Sequence, residues 1–83
     1  MYYLYFLYSD NIDKFYRGTS HDPLQRLHYH NKGQGWTKRG IPWKLVFSHP
    51  FPDKTAAIKK ERWIKRMKSR TIIQQIIDGQ IKF

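Results

Sequence analysis

Eighty-three residues make one domain, 1–83, and leave no room for a second; five Phe, six Tyr and three Trp within 40% hydrophobic residues suffice for one core. With no cysteine in the chain, a disulfide frame and a thiolate zinc site are both excluded. Sixteen Lys and Arg against six Asp and Glu leave a formal charge of +10, a one-signed field that draws polyanions and points to a nucleic-acid partner.

Met1–Ser9 is apolar and aromatic, yet it lacks the basic start of a signal peptide and is too short to span a bilayer. It is expected to be a strand, Tyr2–Tyr8, in a soluble and cytoplasmic protein. Phe15–Thr19 follows after the polar gap Ser9-Asp10-Asn11, and two β-prone runs so separated predict a hairpin. Asp22-Pro23 opens a helix to about Asn31: Asp caps, and Pro suits the first helical position because its missing N–H had no partner there.

On that helix Arg26 and His30 stand four residues apart and project from one face, while Leu24 and Leu27 should point to the core. Arg26 is either solvated or a fixed guanidinium that grips a phosphate; His30 suits proton transfer or a phosphate hydrogen bond. His21, His28 and His49 share no metal-ligand spacing. From Lys32-Gly33-Gln34-Gly35 through Lys38-Arg39-Gly40 runs a charged loop, whose Trp36 serves either to stack on an unpaired base or to anchor the loop to the core.

Trp43–Ser48 is the third strand, broken by Pro50 and Pro52. Asp53 or Thr55 caps a longer helix to roughly Met67, and Ser69 or Thr71 starts a last one whose isoleucines recur at helical spacing up to a stop near Gly79. The expected class is α+β, a small three-stranded antiparallel sheet flanked by helices in the order β-β-α-β-α-α. A membrane surface is not an expected partner, because no long basic amphipathic helix carries an exposed aromatic stripe.

Residues 54–70 hold half of the basic side chains and, among them, Glu61, the sole glutamate of the chain. At the edge of the helix's apolar face its spacing fits two roles. One is a surface carboxylate paired with lysines, the commoner arrangement; the other is a hard oxygen ligand for a divalent cation. Neither a serine or cysteine triad nor a phosphate-binding glycine loop is present. Tyr3 and Tyr5 share a strand face, and on pattern alone tyrosines so placed are core residues.

Tyr3-Leu4-Tyr5, then ten residues, then Tyr16-Arg17-Gly18, resembles the signature of the GIY-YIG nucleases. The likeness extends through Pro23–Asn31, Lys38–Val46 and Lys54–Glu61, in the right order over residues 2–70. The resemblance implies that Glu61 holds one divalent metal, Mg²⁺ or Mn²⁺. It implies that Tyr5 and Tyr16 face the same cleft, one of them helping to deprotonate the attacking water, with Arg26 on the scissile phosphate and His30 at its edge. A phenol serving as base needs the metal and arginine fields to lower its pKa, so alkaline-favoured, metal-dependent cleavage is expected. Tyr3 stands where the signature opens with glycine, and Arg17 replaces an aliphatic residue, a charge positioned to reach a phosphate groove. Arg17, Lys38, Arg39, Lys60 and Lys65 are the expected nucleic-acid contacts. The implied activity is endonucleolytic, on DNA that is branched or damaged. The alternatives are a binding module without catalysis and a subunit that needs a protein partner.

Overall fold

The first strand carries the molecule because both of its faces are covered. In β1 (Tyr2–Ser9), Leu4, Tyr5, Phe6 and Leu7 are each at most 1% exposed, which is why the run is unbroken rather than alternating. β2 (Lys14–Ser20) pairs antiparallel on one side and β3 (Trp43–Phe51) antiparallel on the other, giving the order β2-β1-β3. The computed structural model describes residues 1–33 and 35–83 apart from the Trp36 side chain, so Gln34 in the expected loop and the roles considered for Trp36 lie outside the described residues.

Pleating sorts the side chains. Leu4 and Phe6 meet Ile64, Ile73 and Ile76 from α2 (Lys54–Met67) and α3 (Arg70–Ile77) on one face. Tyr5 and Leu7 meet Trp43, with Tyr16, Leu27 and Ile41 around them, under α1 (Pro23–Asn31) on the other. Three side chains cap the helices by accepting from otherwise orphaned N–H groups. Asp22 takes the N–H of Gln25 at 3.1 Å, Asp53 that of Ala56 at 2.8 Å, and Ser69 that of Ile72 at 3.2 Å.

Two sequence expectations are corrected here. β3 does not stop at Ser48 but continues through Pro50, opposite Tyr3, to Phe51. It is an edge strand, where a proline can turn its nitrogen away from the ladder without losing a hydrogen bond. Leu24 does not enter the core: it is 66% exposed. The inward stripe of α1 is instead Pro23, Arg26, Leu27 and His30, so two polar residues occupy positions that hydropathy assigns to leucine. Part of the expected charged loop, Gly35–Gly40, is a short 3₁₀ helix. No described helix is long and apolar enough to cross a membrane.

Candidate active site

The inward stripe of α1 is where the site assembles. Tyr5 on β1 lies opposite Gly18 on β2, and a Cβ built on Gly18 would stand 2.7 Å from the Tyr5 hydroxyl oxygen. The glycine is therefore required by the phenol lying across it, and the hydroxyl is carried over the edge strand β2. Tyr16 lies on the same face, with its ring 6.4 Å from that of Tyr5.

Arg26 reaches in from α1. Its guanidinium stands 4.7 Å above the Tyr29 ring and beside the Tyr5 hydroxyl. Burial lifts the Tyr5 phenol above its ordinary value of 10.0, and Arg26 draws it back only in part. Tyr5 is thus a neutral phenol. Burial outweighs the guanidinium at Tyr5, so the arginine field by itself does not lower this phenol, and the rest of the expected lowering would fall to the metal.

His30 is 3% exposed, with its ring 4.5 Å from Tyr16. Its Nδ1 shares a 3.1 Å hydrogen bond with the Thr37 hydroxyl, and its Nε2 is buried with no hydrogen-bond partner among the described residues. Burial, followed by the charge of Arg26, holds the imidazole pKa below 6.5, so the ring is neutral at physiological pH. Asn31 locks this arrangement. Its side-chain amide donates to the Trp43 carbonyl at 3.1 Å and accepts from the Trp43 N–H at 2.7 Å, while the Trp43 indole donates to the Thr37 carbonyl at 2.7 Å. The sequence reading missed Gly18, Thr37, Asn31 and Trp43 as site-positioning residues. Gly18 carried a local signal as the glycine closing Tyr16-Arg17-Gly18, and Asn31 another as an amide closing a short helix just after His30.

Glu61 is carried by a different helix from Arg26 and His30. It is partly buried on α2, in line with Ala57 and Ile64, on the helix that packs against β1 and β2 from the other face of the sheet. Among the described residues it makes no ion pair or hydrogen bond, so the lysine-paired surface role has no support. Its free carboxylate is a hard oxygen donor suited to a divalent cation that keeps most of its coordination positions for water and phosphate oxygens. No group of three His, Asp or Glu gathers among the described residues, so a cation here would draw most of its ligands from outside the protein.

The expected nucleic-acid contacts are scattered. Arg17 is on the α2 face of the sheet with Lys65 beside it, Lys38 and Arg39 are exposed on the 3₁₀ helix, and the Lys60 ammonium lies over the Trp63 and Phe83 rings at 5.2 and 5.1 Å.

Comparison with known proteins matches the sequence to one family. The model of the GIY-YIG catalytic domain matches residues 1–74. The chain is 46% identical over 54 residues to the structure-specific endonuclease subunit slx1 of Schizosaccharomyces japonicus, covering 59% of this chain and 19% of that protein. It is 33% identical over 67 residues to a UPF0213 protein of Xanthomonas axonopodis pv. citri, covering 78% and 65% respectively. A UPF0213 protein of Limosilactobacillus reuteri is 33% identical over 82 residues, covering 93% and 83%. The chain therefore spans about a fifth of the first relative and just under two thirds of the second. No solved structure gives a significant match.

Proposed function

We propose, because this chain belongs to the GIY-YIG catalytic domain family, that it is an endonuclease that hydrolyses phosphodiester bonds in DNA with the help of a divalent metal ion. The observation that carries the reading is the cluster of two phenols, a guanidinium and a neutral imidazole on one sheet face, in a chain of charge +10. A core built only for stability would not give the inward stripe of α1 to Arg26 and His30.

Each residue then has a task. Arg26, held by Tyr5 and Tyr29, meets the scissile phosphate and stabilises the charge that develops on it. Tyr5, as a neutral phenol, orients Arg26 and donates a hydrogen bond toward a phosphoryl oxygen. Tyr16, packed on His30, orients the attacking water, and the buried imidazole holds the Tyr16 ring in place. A bound Mg²⁺ or Mn²⁺ would polarise the phosphoryl oxygens and stabilise the leaving oxygen. Glu61 would hold it, from α2, the helix packed against β1 and β2.

A second reading, a subunit that needs a protein partner, draws on the slx1 relative, which is named a subunit and is about five times the matched length. One experiment addresses both. Purified protein is incubated with linear, supercoiled and branched DNA in Mg²⁺, Mn²⁺ or excess chelator, beside Glu61→Gln. We expect metal-dependent cleavage that Glu61→Gln abolishes while binding persists. Cleavage in excess chelator, or an unchanged Glu61→Gln rate, overturns the metal role. Activity that appears only with an added factor selects the partner-dependent form.

A further inference from the structure

A concentration of unpaired cations lies away from the phenol cluster. Between β2 and the junction of α2 with α3 is an open cleft of about 380 Å³, lined by Lys14, Arg17, Lys65, Lys68, Arg70 and a single acid, Asp13. That acid is already engaged: its carboxylate accepts from Arg70 at 2.6 Å and from the Tyr8 hydroxyl at 2.5 Å. Lys14, Arg17, Lys65 and Lys68 have no carboxylate partner among the described residues.

Two further features aim positive charge into this space. Arg17 rises from the sheet as its floor, partly buried, with its Nε enclosed and without a hydrogen-bond partner among the described residues. An enclosed N–H donor without a partner is unfavourable, so an anion that accepts from this guanidinium gains more than one at an exposed lysine. The first turn of the eight-residue α3 also opens here, at Ser69 and Arg70, presenting the positive end of the helix.

We propose that this cleft is a second phosphate-binding site, in which Arg17 at the floor and Lys65 and Lys68 at the rim hold a backbone phosphate of nucleic acid. The site lies on the α2 face of the sheet, whereas Tyr5, Tyr16 and Arg26 lie on the α1 face. It therefore grips a phosphate other than the one that Arg26 meets, with Lys65 one helical turn after Glu61 on α2. The proposal rests on the nucleic-acid partner of the preceding reading but not on cleavage.

The test uses the full chain and a fluorescently labelled DNA duplex, with affinity measured by anisotropy across a salt series in excess chelator. Lys65→Gln with Lys68→Gln removes two exposed charges and leaves the core untouched. A control pair, Lys54→Gln with Lys82→Gln, removes the same charge outside the cleft. We expect the cleft pair to flatten the slope of log affinity against log salt by about 1 to 2, and the control pair by less than half as much. Equal losses from the two pairs, or none from the cleft pair, overturn the site and leave only a diffuse field. Wild-type protein that binds with the expected cleft effect yet never cleaves would refute the nuclease reading and keep the cleft. Cleavage with an unchanged slope in the cleft pair would do the reverse.

Discussion

Arg26 and His30 could be singled out because helical spacing is enough to put residues four apart on one face. What spacing could not convey is that this face points inward, displacing Leu24 to the surface. Thr37 was equally hidden, since its bond to His30 exists only once the chain has folded back through the 3₁₀ helix. The buried, neutral state of His30 has a consequence for stability. The unfolded chain takes up a proton on this residue near 6.5 and the native state resists it, so native stability is full above that value and falls as the pH drops below it. Melting curves from about pH 7.5 to about pH 5.5 should show a steeper acid-side loss for wild type than for His30→Gln, whatever the offset between them. Parallel curves would remove the buried imidazole from the account. At Gly18 a methyl group must push the Tyr5 phenol aside. Gly18→Ala should then cost about 1–3 kcal/mol of stability and slow cleavage by about a hundredfold, which a rate assay at saturating DNA would show; a wild-type rate would mean the position of the phenol is irrelevant.

The helix starts were legible because capping is local: Asp22, Asp53 and Ser69 each sit just before an apolar-periodic stretch, and each accepts an orphan N–H. The far end of β3 was not, because whether a proline ends a strand depends on which neighbours that strand has, and only the sheet order shows that β3 has one. α2 brings Glu61 and Lys65 to the sheet, so its integrity matters to both proposed sites. Replacing its cap, Asp53→Ala, should lower stability by about 1 kcal/mol. Chemical denaturation would register that as a lower midpoint with an unchanged slope, and no shift in midpoint would mean that the cap contributes nothing.

At the level of the whole molecule, charge was the most legible property, and its distribution was the least. The body measures 30 × 26 × 20 Å, with phosphate-seeking groups on both faces of a three-stranded sheet. A straight duplex is stiff on this scale and cannot follow both faces, so DNA that engages both must bend or branch around the β2 edge. Branched DNA should therefore bind more tightly than a linear duplex of equal length at equal salt, whereas equal affinities would confine contact to one face.

The decisive question is whether Arg26 on α1 and Glu61 on α2 serve one phosphate. Single-turnover cleavage rates for wild type, Arg26→Ala, Glu61→Gln and the double variant answer it directly. If both side chains act on one phosphate, the double variant is no slower than the slower single one, because either loss already disables the site. Two losses that multiply in full, or single variants that cleave like wild type, would contradict a shared site.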